Sequence, residues 1–296
     1  MRYTTISFPA LGIEIDPIRA ISIGPLSIHL YGLLIATGLL LAVLYCCRRS
    51  KEFGMTADDL TDGVLWVTPF AIICARLYYC IFYWNQGGYA ENPISILYIW
   101  NGGLAIYGGV IGAIVGIAVF CKVKKLKTAM VLDLVSLGFL IGQALGRWGN
   151  FFNREAFGAV TDSILRMGLY NTVTGTVEYH HPTFLYESLW NLAGFVLLHM
   201  LSKRRKYDGQ VALGYVAWYG LGRAVIEGLR PDSLYLGTFR VSQLLAAASC
   251  IVAVIVLVWN LRQSHDPEDL FVNQVAARQA AAEAQAQSAA EAPQED

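Results

Sequence analysis

Charged residues are scarce in this chain of 296 residues. Asp, Glu, Lys and Arg together make up 15% of it, whereas about a quarter is usual for a soluble domain. Hydrophobic residues make up 55%, and the 22 basic and 22 acidic side chains cancel to a formal net charge of zero. The shortage of charge argues against an ordinary soluble domain, and the balance gives no global indication of a nucleic-acid partner. The composition predicts a membrane protein.

Patterns for metal binding and for several common catalytic mechanisms are also missing. The six cysteines show neither metal-ligand spacing nor the pattern of a disulfide framework. The adjacent pair His180 and His181 lacks zinc spacing, and no H-E-x-x-H motif occurs. There is likewise no G-x-S-x-G elbow and no phosphate-binding P-loop. We therefore expect no metal, no soluble cofactor and no Ser-His-Asp catalysis.

Long apolar runs are what the chain has in abundance. A membrane-spanning helix needs about 17–25 predominantly apolar residues, and seven runs are candidates. The first is too long and begins too late for a cleaved signal peptide, so we expect it to be retained. The sequence predicts an all-α polytopic membrane protein with seven transmembrane helices. The predicted spans are 22–45, 61–84, 104–121, 129–147, 184–202, 210–227 and 239–261.

Basic residues are concentrated in alternate connections between these spans. The connections after spans one, three and five contain CRRSKEF, CKVKKLK and SKRRKYDG, whereas residues 85–101 hold no Lys or Arg. Basic loops stay on the cytoplasmic side. The pattern predicts an N-terminus outside, a C-terminus in the cytoplasm and the connection 148–183 on the outer face.

Composition also predicts the division of the chain. Residues 1–262 form one transmembrane domain, in which the connection 148–183 lies outside the membrane. Residues 263–296 are rich in Ala, Gln and Glu and lack an apolar stripe after Val275. We expect a disordered or loosely helical cytoplasmic tail there, without chemistry.

Two predicted spans carry glycine at every fourth residue. Such a series lies along one helix face and lets another backbone approach closely. It favours helix packing, although a flat glycine face would also admit a lipid chain, and the sequence does not separate the two. The residues are Gly108, Gly112 and Gly116, and Gly138, Gly142 and Gly146.

Three arginines lie inside or at the end of predicted spans, where a charge costs ~2.5 kcal/mol or more. They are Arg76, Arg147 and Arg223, and Arg223 is followed on the same helical face by Glu227 and Arg230. Arg223 and Glu227 would form an intrahelical ion pair, and Arg147 or Arg230 alone would serve as an interfacial anchor. Together, the surplus guanidinium near the outer leaflet predicts an anionic ligand. A phospholipid headgroup fits, because guanidinium binds phosphate oxygens through two parallel hydrogen bonds.

One stretch at the end of the fourth span is unusually specific. Residues 146–158 read GRWGNFFNREAFG, with two Arg, two Asn and one Glu. The stretch matches G-R-x-G-N-F-x-N-x-E-x-x-G, the signature of the prolipoprotein diacylglyceryl transferase family, at every fixed position. YGLL, GGLAIYGGVIG, HPTFLYE and GRAVIEGLRPD also occur in the order that the family shows. The chain resembles that family over roughly residues 20–262.

The resemblance implies a seven-helix protein of the bacterial inner membrane with a periplasmic head. It implies transfer of the diacylglyceryl group of phosphatidylglycerol to the lipobox cysteine of a prolipoprotein signal peptide. Glycerol-1-phosphate leaves and a thioether forms. The expected partners are phosphatidylglycerol, the signal peptide and membrane lipids, with no nucleic acid.

The resemblance also implies roles for individual residues. Arg147 would hold the phosphate of phosphatidylglycerol, and Arg223 would stabilise charge on the departing phosphate. The predicted catalytic residues are Arg147, Arg223, Tyr107, Asn150, Glu155 and Glu227. The predicted residues for binding phosphatidylglycerol are Arg147, Arg223, Tyr31, Arg230 and Arg76.

Tyr107 is a departure from some members of the family, which carry His there and for which that His is discussed as the base that activates the thiol. With an ordinary pKa near ~10, tyrosine is a poor base at neutral pH. Either the base lies elsewhere or none is needed, since a thiol of pKa about 8.5 already has a few per cent thiolate. We favour the second explanation.

Two other classes of protein compete with the transferase. A seven-span receptor or transporter would also place Arg along an anion pathway, but the sequence shows no inverted repeat and no paired broken helices. Composition alone leaves open another phospholipid-processing enzyme, such as an acyl- or phosphotransferase. Only the resemblance argues against that enzyme.

Overall fold

The computed structural model describes residues 3–24, 26–99, 102–231, 235–236 and 239–291. Eight α-helices lie in that part of the chain. Their bounds are α1 Leu30–Arg49, α2 Ala57–Phe82, α3 Ile106–Lys124, α4 Thr128–Asn153, α5 Thr183–Ser202, α6 Gln210–Glu227, α7 Val241–Leu261 and α8 Phe271–Glu291.

Six of these helices, α1 to α5 and α7, are long and apolar enough to cross a membrane. In α1 and α7 only 11% of the most apolar window is buried inside the protein, as expected of helices that face lipid. The chain is therefore a polytopic helical membrane protein. Helix α6 falls outside the six, because polar and small residues dilute its apolar character.

The predicted first span, 22–45, begins too early. Residues Ala20–Ile23 and Leu26–His29 form an antiparallel hairpin, β3 and β4, and α1 starts only at Leu30. Gly24 has φ +60° at the turn, and Pro25 of the predicted span lies outside the described residues. Apolar and polar residues alternate in the sequence from Ile21 to Ile23 and from Leu26 to His29, which is the period of a strand and not of a helix.

The sequence prediction also missed a four-stranded sheet. Its strands are β1 Tyr3–Phe8, β2 Ile13–Ile15, β5 Met167–Asn171 and β6 Thr176–His180, in the order β2-β1-β5-β6 with antiparallel neighbours. A short antiparallel pair, β7 Tyr235–Leu236 and β8 Phe239–Arg240, precedes α7. The membrane part is helical as predicted, but the chain also contains strands and is not all-α. The N-terminal strand β1 pairs with β5, which lies in the connection 148–183 that was predicted to form the head without it.

The sheet packs on the end of α4 and the start of α5. Ile6 and Leu169 are fully buried in one cluster with Met167, Phe151 of α4 and Phe184 of α5. Burial of these side chains stabilises the sheet and explains why α4 continues to Asn153 instead of ending near residue 147. The first six residues of the connection predicted as 148–183 are thus part of α4.

Glu178 of β6 ties the sheet together. Its carboxylate accepts hydrogen bonds from Asn171 Nδ2 at 2.6 Å and from the Tyr3 hydroxyl at 2.9 Å. These bonds, with a further contribution from His180, hold the pKa of Glu178 below its ordinary value of 4.5. A lowered pKa means that the carboxylate stabilises the fold above pH 4.5, and that this contribution disappears as the pH falls through the lowered pKa.

We expect the β5–β6 amides to lose exchange protection on acidification below pH about 4.5, where protonation of Glu178 removes acceptors from Asn171 and Tyr3. Hydrogen exchange, corrected for the intrinsic pH dependence of amides, measures this loss. In Glu178→Gln the acid-dependent part should vanish. An unchanged acid profile in that variant would assign the effect to another group.

The contacts divide the chain into two compact units. The first comprises residues 1–45 and 133–267, and the second comprises 46–132 and 268–296. In the second unit α2 packs against the glycine face of α3. A Cβ built at Gly108 would lie 2.6 Å from the Cys74 carbonyl oxygen, and one at Gly112 would lie 2.5 Å from Cys74 Cβ. On α3 the close packing is with another helix.

In the first unit, a buried carboxylate fixes the start of α6. Asp133 of α4 is fully buried and accepts hydrogen bonds from the backbone N–H groups of Gly209 and Ala212, each at 2.8 Å. The first N–H groups of a helix have no partner within the helix. A side chain of α4 therefore caps α6 and joins the two helices at that end.

The C-terminal segment contains α8. Phe271 at its start is buried, and a Cβ at Gly54 would lie 2.8 Å from Val272 Cα, so the first turn packs on the connection between α1 and α2. The side chains from Ala276 to Gln287 are exposed. Residues 292–296 lie outside the described residues, and the expectation of a disordered or loosely helical tail stays a prediction.

Candidate active site

Three arginines converge on one carboxylate in the first unit. Arg147 Nη2 lies 2.7 Å from Glu187 Oε2, and Arg223 Nη1 lies 3.4 Å from the same oxygen. Arg230 Nη1 lies 4.0 Å from Glu187 Oε1. Only 5% of the Glu187 side chain is exposed, so these contacts are made largely out of water.

Glu227 supplies the second carboxylate. Its Oε2 lies 2.6 Å from Arg223 Nη2, one helical turn earlier on α6, so the predicted intrahelical ion pair is present. We call Arg147, Glu187, Arg223, Glu227 and Arg230 the arginine–glutamate cluster. It carries three positive and two negative formal charges and so has a net charge of +1.

The cluster lies where helix ends meet. Glu187 is near the N-terminus of α5, while Arg223 is near the C-terminus of α6 and Arg230 just beyond it. The helix macrodipole favours a negative charge at the first position and positive charges at the others. The ends of α5 and α6 thus favour the charges of Glu187, Arg223 and Arg230 independently of the ion pairs between them.

Paired tryptophans hold α5 and α6 in register below the cluster. Trp190 Nε1 donates to the Trp218 carbonyl and Trp218 Nε1 donates to the Trp190 carbonyl, both at 2.9 Å, and the rings stack at 4.3 Å. Each ring lies against a glycine of the opposite helix, since a Cβ at Gly194 or Gly222 would overlap an indole nitrogen. This symmetric lock fixes Glu187 relative to Arg223.

The loop that follows α4 is held by the segment before α5. Thr183 is fully buried and donates its hydroxyl to the Ala156 carbonyl at 2.6 Å. The Gly158 N–H donates to the His181 carbonyl at 2.9 Å, and the Ala159 N–H donates to the Leu229 carbonyl at 2.7 Å. The signature loop, residues 154–159, is therefore tied to α5 and to the residue before Arg230.

We expect Thr183→Val, which keeps the shape and removes the hydroxyl, to loosen this loop. The half-buried Ala156 carbonyl would lose its partner, at a cost of about 0.5–1.5 kcal/mol. Exchange protection of the Gly158 and Ala159 amides should fall by about two- to tenfold. Thr183→Ser should restore it, and equal protection in the Val variant would show that the hydroxyl contributes nothing.

Close contacts explain why two positions of the signature are glycine. A Cβ at Gly149 would overlap Tyr31 Cδ2, and one at Gly158 would lie 2.6 Å from His181 Cβ. Tyr31, in the first turn of α1, therefore packs on α4 at Gly149, two residues after Arg147 and on another face of the helix. This places the predicted lipid-binding tyrosine beside the signature helix.

Asn150 and Glu155 belong to the signature stretch, residues 146–158, but they are not members of the arginine–glutamate cluster. Asn150 is buried, and its carbonyl accepts the Glu155 N–H at 3.1 Å. The Glu155 carboxylate accepts from Asn153 Nδ2 at 3.1 Å in an exposed position. Glu155 lines a separate open cavity of about 580 Å³ together with Asn153, Arg154, Tyr3, Arg19, Ala20 and His29.

Arg76 and Tyr107 belong to the second unit and are described within it. Arg76 is buried, and its Nε and Nη2 donate to Ile96 and Ser95 carbonyls at 2.8 Å. Its Nη1 donates to Gly102 and Gly103 carbonyls at 2.8 and 2.9 Å. These contacts shape the connection between α2 and α3. Tyr107 lies in the first turn of α3, with 44% of the residue exposed.

Sequence reasoning gave no role to Glu187, the last residue of HPTFLYE. The structure makes it the residue that all three arginines of the cluster contact. A signal was present, because Glu187 is a carboxylate one turn inside a predicted span, where a charge needs a partner. What the sequence did not show is that the partners come from α4, α6 and the turn after α6.

Comparison with known proteins identifies the family of this chain. The family model for prolipoprotein diacylglyceryl transferase matches residues 18–259. Curated relatives carry the name phosphatidylglycerol–prolipoprotein diacylglyceryl transferase. One from Limosilactobacillus reuteri is 43% identical over 244 residues, which cover 79% of this chain and 88% of the relative.

Two further relatives with that name are similar over more of the chain. The protein of Lactiplantibacillus plantarum is 42% identical over 265 residues, covering 86% of this chain and 92% of its own. That of Bacillus velezensis is 43% identical over 255 residues, covering 84% and 93%. All three sources are bacteria, which agrees with a bacterial multi-pass membrane protein. The chain belongs to the prolipoprotein diacylglyceryl transferase family.

Proposed function

We propose that this protein transfers the diacylglyceryl group of phosphatidylglycerol to the cysteine thiol of a prolipoprotein signal peptide, the first step of lipoprotein maturation. The observation that carries the proposal is the convergence of Arg147, Arg223 and Arg230 within 4.0 Å of Glu187. The names of the relatives supply both substrates.

The charge of the cluster fits this reaction. Its net charge of +1 balances the single negative charge of a phosphodiester. When the carbon–oxygen bond breaks, the departing phosphate monoester gains charge, to about −1.5 to −2 at neutral pH. Guanidinium groups fixed in a poorly hydrated site then stabilise the transition state more than the bound lipid, which is the condition for catalysis.

The bonds change as follows. The sulfur attacks the glycerol carbon of the diacylglyceryl group, a carbon–sulfur bond forms, and the carbon–oxygen bond to phosphate breaks. The electron pair leaves with glycerol-1-phosphate. The thiol proton passes to solvent before attack, because a few per cent of an ordinary thiol is already ionised near neutral pH. No base is required, so Tyr107 need not act as one.

The other site residues have supporting roles in this proposal. Glu187 and Glu227 hold the guanidinium groups apart and oriented until phosphate enters. In this proposal Tyr31, which packs on Gly149 of α4, lines the path of the lipid. Asn150 and Glu155 organise the signature loop 154–159. The hydrogen bond from the Glu155 N–H to the Asn150 carbonyl supports this role.

Arg76 has a different role from the one the sequence suggested. Its guanidinium is occupied by four backbone carbonyls. We propose that Arg76 orders the α2–α3 connection and does not contact the lipid phosphate.

The proposal includes seven spans in the bacterial inner membrane, with the N-terminus and the sheet outside and the C-terminus in the cytoplasm. Helix α6 would be the seventh span: its 18 residues reach about 27 Å at 1.5 Å per residue. Pairing of β1 with β5 supports placing the N-terminus and the 148–183 segment on one side. The basic connections after α1, α3 and α5 support the cytoplasmic side.

A thioether-forming assay with purified protein tests the function. With phosphatidylglycerol and a cysteine-bearing signal peptide, we expect a peptide product heavier by one diacylglyceryl group. A peptide with serine for cysteine, or omission of phosphatidylglycerol, should give none. Anion transport without thioether formation would instead support the transporter alternative.

A further inference from the structure

The cavity beside the signature loop is not used by the arginine–glutamate cluster. It lies between the hairpin β3–β4 and the end of α4, has a volume of about 580 Å³, and is lined by Arg19, Ala20 and His29 on one side and Asn153 and Glu155 on the other. That volume is within the usual range of ~300–1,000 Å³ for ligand sites.

Its lining contains both donors and acceptors. Arg19 Nη2 donates to the Asn153 carbonyl at 2.7 Å, but Arg19 Nε is buried and has no hydrogen-bond partner within the described part of the chain. The Glu155 carboxylate is exposed and accepts a hydrogen bond from Asn153 Nδ2.

Arg154 also lines the cavity, but it is buried and its guanidinium is bound by Asp16 and the Pro17 carbonyl. Glu155 is the exposed charged residue of the lining, and it would repel a phosphate, which offers only acceptors. A polypeptide main chain offers both N–H and C=O groups and matches this lining.

The hairpin adds a main-chain edge. The Leu30 N–H donates to the Arg19 carbonyl at 2.8 Å, and the register pairs Ala20 with His29 and Ser22 with Ser27. Hydrogen-bonded and non-bonded pairs alternate in an antiparallel ladder. The N–H and C=O groups of Ala20 and Ser22 therefore point away from β4, and in the described residues β3 pairs with no other strand.

We propose that the acceptor peptide docks here as an extended segment, adding a strand to β3 and reaching the cavity at Ala20. The inference rests on the proposed function and assigns its second substrate a place. Strand addition to a sheet edge is a common mode of peptide recognition, in which main-chain hydrogen bonds supply affinity.

The position suits transfer between two substrates. Arg147, in the cluster, and Asn153, at the cavity, lie on one rigid helix, six residues or about 9 Å apart along its axis. Lipid phosphate at the first and peptide backbone at the second would be held by the same element. Such fixed spacing lowers the entropic cost of bringing sulfur and carbon together.

Ser22→Pro tests the docking, because proline removes the outward N–H and is tolerated on an edge strand. Ser22→Ala keeps the N–H and is the matched control. With purified full-length protein, we expect Ser22→Pro to raise the KM for a signal peptide about fivefold, the loss of one main-chain hydrogen bond. The KM for phosphatidylglycerol should not change. An unchanged peptide KM, or an equal rise for both substrates, would overturn the proposal.

A photo-crosslinking residue at Ser22 gives a second measurement that does not depend on the proline variant folding. A synthetic signal peptide with serine for its acceptor cysteine should be captured from this position but not from Leu11, an exposed site in the β1–β2 connection. Capture of photoactivatable phosphatidylglycerol in place of the peptide would overturn the assignment. Wild-type activity without peptide capture would remove this inference alone, whereas absence of thioether from wild type would remove the proposed function.

Discussion

Replacement of Arg223 by alanine should lower kcat/KM for thioether formation by about 100- to 1,000-fold, the usual loss when one fixed donor to a developing anion is removed. Arg223 contacts both carboxylates of the cluster, Glu187 and Glu227, so its guanidinium is held in a fixed orientation between them. Arg147→Ala should give a loss of similar size. Initial rates with purified protein, phosphatidylglycerol and signal peptide measure both effects.

Two controls separate this effect from general damage. Arg223→Lys keeps the charge but loses the planar fork, and should give an intermediate rate. Arg166, which stacks on Tyr179 in the sheet, lies outside the cluster, and Arg166→Ala should stay close to wild type. If Arg223→Ala were folded and fully active, Arg223 would have no part in the mechanism.

Glu187→Ala should cost more stability than other single substitutions in the cluster. Removing one partner of a buried ion pair costs about 3–5 kcal/mol, because the remaining charge is left uncompensated. Here three guanidinium groups would lose their common carboxylate. We expect a lower midpoint of thermal unfolding in detergent and a large loss of transfer activity.

The matched variants for Glu187 test whether charge or shape matters. Glu187→Gln keeps the size and should still destabilise the protein, since it leaves the arginines without a counterion. Glu187→Asp keeps the charge on a shorter side chain and should recover part of the stability. A Gln variant as stable and active as wild type would show that the carboxylate charge is dispensable.

The helices and the arginines of the site were predictable because the energies behind them are large. An uninterrupted apolar run, and a charged residue inside it, can both be identified in a single sequence without knowledge of tertiary contacts. Arg147 and Arg223 were identified in that way, and Arg230 by its helical spacing from Arg223. The same reasoning also selected Arg76, whose guanidinium binds backbone carbonyls instead. The role of Glu187 was not identified, because it depends on contacts between residues about 36 to 43 positions apart, which only helix packing creates.

The strands were missed for a different reason. In AISIGPLSIH, residues 20–29, apolar residues alternate with serine around a Gly-Pro turn, the signal of a hairpin. The high apolar content made the stretch look like the start of the first span. For β1 and β5, a short segment near the N-terminus pairs with one more than 150 residues later, and local patterns give no indication of such a partner.

The most direct test of the central claim is the ratio of glycerol-1-phosphate released to thioether formed by the purified protein. If the cluster binds a phosphodiester that leaves as sulfur attacks, the ratio should be one to one, and both products should fall together in Arg147→Ala and Arg223→Ala. Thioether formed without glycerol-1-phosphate, or at full rate in either arginine variant, would contradict the account.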